Sequence, residues 1–405
     1  MMRTHNFPYS SSVCLVVSFV FLLCGCAGVT FNGAAPAPSP TPQAGPADRV
    51  LLQMGPAGTL YQEFAATDSG LNQVAGDITL PTRFLAIAPP IASVHGFLFA
   101  LDSGPLPQID AFTEDSVAGK FSSTAQFMLQ PGPSIFSTDP SGNYLYVNES
   151  HDDPPNGYES NLNAFHIGAD GGLTQVPGAP FIFFGGPGTG LDCCFNLGSR
   201  LAFTPDGTRA YAVTVEGCPC HSTGFWTVQP FLVDTNTGAI TKEAPQPGAP
   251  PPSEFFIGGV VVAKNGKYLL FPSIDGLMVY SIDPSTGSLT PVKASSPLPA
   301  TDIDHPYVEI TATKDGEFVY LDQPQSGLLY GFHVENDGSL MPVPGSPYAT
   351  GTLSSLTVSS SGRFVFASRV AQGFLAFKRD PNTGQLIEFD SVLLQQGVLA
   401  IVNLN

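Results

Sequence analysis

Four glycines constrain what this chain can fold into: Gly238, Gly287, Gly338 and Gly384 follow one another at spacings of 49, 51 and 46 residues. Each closes a turn of related composition, as in Thr286-Gly287-Ser288-Leu289, Asp337-Gly338-Ser339-Leu340 and Thr383-Gly384-Gln385-Leu386. An earlier turn in each unit carries Asp206-Gly207, Asn265-Gly266, Asp315-Gly316 or Ser361-Gly362 and runs into an aromatic, β-branched strand such as Phe318-Val319-Tyr320-Leu321. Asp-Gly and Asn-Gly pairs predict two-residue hairpin loops, whose central positions need the positive φ that these residues tolerate. A unit of about fifty residues with four short strands is a propeller blade.

Innermost strands are expected near Arg83–Ala88, Ser134–Thr138, Arg200–Thr204, Gly259–Ala263, Val308–Thr313, Ser355–Ser359 and Val398–Leu404. The last has no hairpin partner after it, and the first strand, Val50–Met54, has none before it. Pairing the two closes a ring and removes two exposed sheet edges. Short strands alone would also suit a sandwich array. The regular glycine spacing and the orphan strand at each end favour the ring, so the expectation is an all-β, seven-bladed β-propeller with four-stranded blades.

Composition agrees with that architecture. With 43 Gly and 39 Pro in a chain that is 43% hydrophobic and 12% charged, many short strands and tight turns are expected, and no long stretch shows a helical apolar period. Fifteen basic residues against 33 acidic ones leave a net charge of −18. That field repels polyanions, and no basic cluster offsets it, which argues against nucleic-acid binding.

The N-terminus reads as an export signal. Arg3 and His5 precede an apolar run from Val13 to Leu23, and Leu23-Cys24-Gly25-Cys26-Ala27 has the layout of a lipoprotein cleavage box with Cys26 as the lipidated residue. The run is shorter than the ~20 residues of a spanning helix; an uncleaved anchor and an ordinary signal are the alternatives. The expected organisation is a signal over residues 1–26, a Pro/Ala-rich tether over 27–47 and the propeller over 48–405. A lipid-anchored location in the cell envelope follows, facing periplasm or exterior, with the anchor as the membrane contact.

Cys193 and Cys194 lie before the inner strand of the fourth blade, and Cys218 and Cys220 follow its second strand. Both loops of a propeller blade open on the same face, so the pairs can meet. An exported compartment favours disulfides over zinc or copper, with connectivity open. Gly185-Gly186-Pro187-Gly188-Thr189-Gly190 lacks the Lys-Ser/Thr of a phosphate loop and reads as a connector. The acidic runs Glu149–Asp153 and Asp302–His305 read as solvated loop charge, with calcium or a sugar as the alternative occupant. Trp226 and Phe225 read as packing between blades. No cofactor or metal is expected, and the domain is expected to be monomeric.

Three stretches resemble the lactonase family of seven-bladed propellers, which includes the 6-phosphogluconolactonases: Gly198 to Tyr211, Thr286 to Thr290, and Gln396 to Asn403. The resemblance implies the fold over everything after the tether and a sugar lactone as substrate. The family's Pro-Arg-His before an inner strand falls on Gly198-Ser199-Arg200, so arginine stands at the histidine position. Its Asn-Glu falls on Thr214-Val215, with Glu216 one residue late, and a one-residue shift turns a strand side chain to the other face. Where the resemblance implies a histidine on another inner strand, this chain has Thr311, and an earlier inner strand offers Ser134. Lactone hydrolysis needs an activated water and a group for the developing oxyanion; the candidates are Arg200, Glu216, His305 and Glu309. One expectation is an exported binding or scaffolding platform for a small molecule, glycan or envelope protein, with the family's catalytic-type residues replaced. The other is a sugar-lactone hydrolase, which requires these four residues to converge at one end of the channel.

Overall fold

The computed structural model describes residues 48–54, 60–80, 91–102, 107–115, 120–129, 134–153, 157–184, 200–216, 225–243, 259–273, 276–292, 298, 309–323, 326–369, 373–392, 394 and 398–404. They form seven antiparallel sheets arranged as the blades of a β-propeller. From the channel outwards, blade 1 is Val398–Leu404, Asp48–Met54, Leu60–Thr67 and Gly70–Thr79; blade 2 is Ile91–Val94, Phe97–Asp102, Gln108–Asp115 and Lys120–Met128. Blade 3 is Ser134–Thr138, Tyr144–Asp153, Gly157–Ile167 and Leu173–Gln175, with Phe181–Phe184 added against its third strand. Blade 4 is Ala202–Phe203, Arg209–Glu216, Phe225–Val233 and Ile240–Lys242; blade 5 is Val261–Ala263, Tyr268–Ser273, Gly276–Ile282 and Leu289–Pro291. Blade 6 is Ile310–Ala312, Phe318–Gln323, Leu328–Val334 and Leu340–Pro342, with Tyr348–Ala349 added; blade 7 is Leu353–Val358, Phe364–Arg369, Gly373–Arg379 and Leu386–Val392.

The terminal strands close the ring as expected, in a register running from Arg49 opposite Leu404 to Met54 opposite Val398. Asp48 reinforces the closure by accepting from the Ser361 N–H at 3.2 Å and the Ser361 hydroxyl at 2.5 Å, in the first turn of blade 7.

Two details depart from expectation. The inner strand of blade 2 is Ile91–Val94, and the expected Arg83–Ala88 lies outside the described residues. Its hairpin turns on His95 and Gly96, at φ 51° and 78°, with Val94 paired to Phe97. This is the two-residue loop, formed where no Asp-Gly or Asn-Gly marks it. The Asp206-Gly207 turn is longer: Thr204 N–H bonds Arg209 C=O, which leaves four residues in the loop, and the positive φ falls on Gly207 alone. The Thr204 hydroxyl bonds Asp206 Oδ1 at 2.6 Å, as the Thr313 hydroxyl bonds Asp315 Oδ1 at 2.6 Å. Side-chain bonds of this kind stabilise a longer turn without a second left-handed residue.

The core lies between the blades. Among the described residues, seven apolar clusters are each shared by two adjacent blades, as where Leu329 and Tyr320 of blade 6 meet Leu356 and Leu375 of blade 7. The recurring glycines explain why the junctions repeat. A Cβ on Gly384 would stand 2.2 Å from Phe318 of the preceding blade, and one on Gly238 would stand 2.3 Å from Tyr144. Two residues further along the same strands, the Tyr320 hydroxyl donates to Gly384 C=O at 2.7 Å and the Tyr146 hydroxyl to Gly238 C=O at 3.0 Å. Tyr211 does the same to Gly287 C=O at 3.1 Å, and burial pushes its phenol up to about 12, so it stays a donor. Tyr320→Phe leaves the Gly384 carbonyl without its donor and is expected to cost about 1–3 kcal/mol, read as a lowered midpoint in denaturant.

Candidate active site at the channel mouth

Seven residues before the first-turn glycine of a blade, the chain enters its inner strand. In blades 4 to 7 that position holds Arg200, Gly259, Glu309 and Ser355. The four form one ring position on neighbouring inner strands, so residues far apart in sequence stand around a common channel.

Glu309 is held from two sides. Its N–H donates to Asp322 Oδ1 at 2.6 Å while its C=O accepts from Asp322 N–H at 3.0 Å. Asp322 is 1% exposed, so this clamp is dry and the start of the strand is fixed. Glu309 Oε2 accepts from Leu356 N–H of blade 7 at 2.6 Å, and this is the hydrogen bond its carboxylate makes among the described residues. Burial pushes the carboxyl up to about 7, against the opposing pull of the Leu356 N–H and the Arg200 charge.

Arg200 keeps exposed surface yet lies among enough protein atoms that desolvation lowers its pKa, with Glu309 countering. Both hold for a side chain in a channel mouth. Each charge opposes the other's desolvation, so Arg200 and Glu309 are electrostatically coupled, although blade 5 separates their strands.

The Leu356–Glu309 bond belongs to a series. Ile401 N–H of blade 1 donates to Ser355 Oγ of blade 7 at 3.3 Å, and Leu201 N–H of blade 4 to Ser137 Oγ of blade 3 at 2.9 Å. An inner strand turns alternate N–H groups away from its ladder, and a side chain of the preceding blade receives them.

Of the four residues singled out in the sequence, Arg200 and Glu309 occupy the same ring position in blades 4 and 6 and influence each other's charge. Glu216 ends the second strand of blade 4 opposite Phe225, at the same end of the blade as Arg200. His305 lies outside the described residues, as do Cys26, Cys193, Cys194, Cys218, Cys220 and the glycine run 185–190. The run Glu149–Asp153, expected as loop, continues the second strand of blade 3, paired against Gly157–Asn161. Among the described residues no three His, Cys, Asp or Glu group as metal ligands, and no described helix is long and apolar enough to cross a membrane. A shallow groove of about 300 Å³ lies elsewhere, between blades 3 and 4, bordered by Tyr144, His166, Gln175 and Asn236.

Asp322 was not singled out in the sequence. Its signal is a carboxylate inside the otherwise apolar Phe318-Val319-Tyr320-Leu321-Asp322, at the position where blade 3 carries Asn148 and blade 7 carries Ser368. All three are buried. A polar residue retained at a buried strand position implies a backbone or side-chain partner.

Comparison with known proteins agrees with this fold. Residues 273–402 match the model of the family described as "Lactonase, 7-bladed beta-propeller". A 6-phosphogluconolactonase from Pectobacterium carotovorum is 27% identical over 121 residues, which are 29% of this chain and 36% of that protein; the chain thus spans about a third of the curated relative it matches. A Bacteroides uniformis structure with a provisional 6-phosphogluconolactonase assignment superposes with a TM-score of 0.66 at 14% identity, over 89% of this chain and 100% of that one. The periplasmic gluconolactonase of Pseudomonas aeruginosa superposes with a TM-score of 0.61 at 16% identity, over 87% and 98%.

Proposed function

Because the chain is a lactonase-like seven-bladed β-propeller, we propose that it opens a sugar lactone by general-base hydrolysis at its channel mouth. The observation that carries this reading is Glu309, fixed at the start of its inner strand by Asp322, with a carboxyl that burial raises to about 7 within the field of Arg200. A base is most effective when its pKa lies near the working pH. Water attacks the lactone carbonyl and gives its proton to Glu309. The tetrahedral oxyanion collapses by breaking the ring C–O bond, and the proton returns from Glu309 to the departing ring oxygen. The product is the hydroxy acid. Arg200 places a positive charge where the oxyanion forms, and Asp322 holds Glu309 in place.

The family's His and Glu positions are replaced in blade 4, and Thr311 stands where another blade of the family carries a histidine, so this reading takes its acid from Glu309 of blade 6. The test is hydrolysis of glucono-δ-lactone and 6-phosphogluconolactone by the full-length protein. A rate well above the spontaneous one, lost in the Arg200→Ala and Glu309→Gln variants, is expected. A rate equal to the spontaneous one favours the binding platform instead.

Export as a lipoprotein belongs to the same proposal. It rests on the Leu23-Cys24-Gly25-Cys26 box and the Pro/Ala-rich stretch after it, and the Pseudomonas relative is named as periplasmic. Cys26→Ala is expected to yield an unlipidated precursor that leaves the membrane fraction. Unchanged mass and partition would reject the anchor.

A further inference from the structure

The series of bonds between neighbouring inner strands lapses beside Glu309. Ile310 occupies the place in blade 6 that Leu201, Leu356 and Ile401 hold in their blades. Its neighbours Glu309 and Thr313 bond the second strand, through Asp322 N–H to Glu309 C=O at 3.0 Å and Thr313 N–H to Phe318 C=O at 2.9 Å. Alternation therefore turns Ile310 N–H away from that strand, toward blade 5. There the residue that would receive it is Gly259, which has no side chain to offer. A Cβ built on Gly259 would stand 3.9 Å from Ile310 N, 3.6 Å from Ile310 O and 3.4 Å from Ile310 Cγ2. One more bond would carry a hydroxyl to the amide, as Ser355 does for Ile401. At the preceding junction Val260 N–H meets the same lack, since its counterpart in blade 4 is Arg200, which only donates. Neither Val260 N–H nor Ile310 N–H has a protein acceptor among the described residues.

The two lapses are consecutive, and they lie between Arg200 and Glu309 on the ring. An N–H turned away from its own sheet toward Gly259, one residue from the base, is placed to meet the oxygen of a carbonyl whose carbon is attacked by the water on Glu309. We propose that the Ile310 main-chain N–H is the oxyanion donor of the site, and that the missing side chain at Gly259 is what leaves it open to substrate. This rests on the lactone-hydrolase reading. The donor is fixed by the strand before the reaction begins, so it needs no reorganisation as negative charge develops on the carbonyl oxygen.

Gly259 is not in the left-handed region, and its nearest contacts leave room for a Cβ, so substitution there tests the donor without breaking the fold. In the full-length protein, Gly259→Ser supplies the hydroxyl that occupies Ile310 N–H, whereas Gly259→Ala adds bulk without an acceptor. With glucono-δ-lactone as probe, Gly259→Ser is expected to lose about 100-fold or more in kcat, the loss typical of one oxyanion donor. Gly259→Ala should stay within about tenfold of the parent, by the same scale. Amide exchange at Ile310 should be slower in Gly259→Ser than in Gly259→Ala, and the Ser variant should melt no lower. Equal losses in both variants would mean crowding and overturn the donor role. Full activity in Gly259→Ser, with Glu309→Gln inactive, would overturn the donor role and leave the hydrolase reading intact. A parent protein inactive toward lactones would overturn both.

Discussion

Glu309→Gln is expected to lower lactone opening by about 10²–10⁴-fold, the range for loss of a positioned general base, while making the ring more resistant to heat at pH 8. The two effects have one origin. In the folded chain the carboxyl binds its proton up to pH about 7, against an ordinary value of 4.5. Below the lower value the proton is bound whether the chain is folded or not, and nothing is lost. Between the two the unfolded chain is ionised and the folded one is not, so stability falls as pH rises. Above the upper value the full penalty applies, at most about 3 kcal/mol and less because the channel mouth admits solvent. Glutamine removes the ionisation and can still accept from Leu356 N–H. The measurement is the difference in melting temperature between parent and variant at pH 5 and pH 8, alongside the pH profile of the parent, whose rate should rise through about pH 7 as the base ionises. A difference that does not grow with pH, together with a flat profile, would show that Glu309 is an ordinary carboxylate.

Truncation after Gly397 is expected to abolish cooperative folding altogether. The removed strand pairs with Arg49–Met54 along its whole length and contributes Ile401 to one apolar cluster and Val402 and Leu404 to the next. Its loss uncovers both flanks of blade 1 and exposes an edge in a fold whose other junctions depend on closure. A domain stable by about 5–15 kcal/mol cannot absorb the loss of a central strand. Circular permutation provides the control: joining residue 405 to residue 48 through a short Gly/Ser linker and opening the chain between 393 and 397 keeps every described strand. Calorimetry should show a single transition in the permutant and none in the truncation. A cooperative transition in the truncated chain would mean that the ring is held by its other junctions.

What could be read in advance, and what could not, follows from which interactions are local. Blade count, glycine period and terminal closure were visible because each blade repeats its own turns and apolar alternation, and Val398–Leu404 had nowhere else to pair. The loop at Asp206-Gly207 was misjudged in length because Thr204 and Asp206 close it with side-chain bonds, which a dipeptide rule does not weigh. The turn at His95-Gly96 was missed because the hairpin rule looks for Asn-Gly and Asp-Gly, although histidine too is enriched among non-glycine residues at positive φ. At the site, Arg200 and Glu309 could each be named, but their electrostatic coupling depends on two strands separated by a whole blade. Asp322 and the Ile310 amide escaped because one acts from inside a strand and the other has no side-chain signature. Aligning the inner strands on their turn glycines would have put Gly259 between Arg200 and Glu309, and that blank is the one sequence trace of the proposed donor.

The tyrosine-to-glycine contacts run one way around the ring: Tyr146, Tyr211 and Tyr320 each reach forward to the next blade and never back. Blades 3, 4 and 6 thus each carry a key that fits the blade that follows. A tandem copy of such a segment is born compatible with itself, and rings can lengthen by duplication without a new interface having to be invented. The only joint such copying cannot supply is the final one, which here falls to Asp48 and the strand beside it.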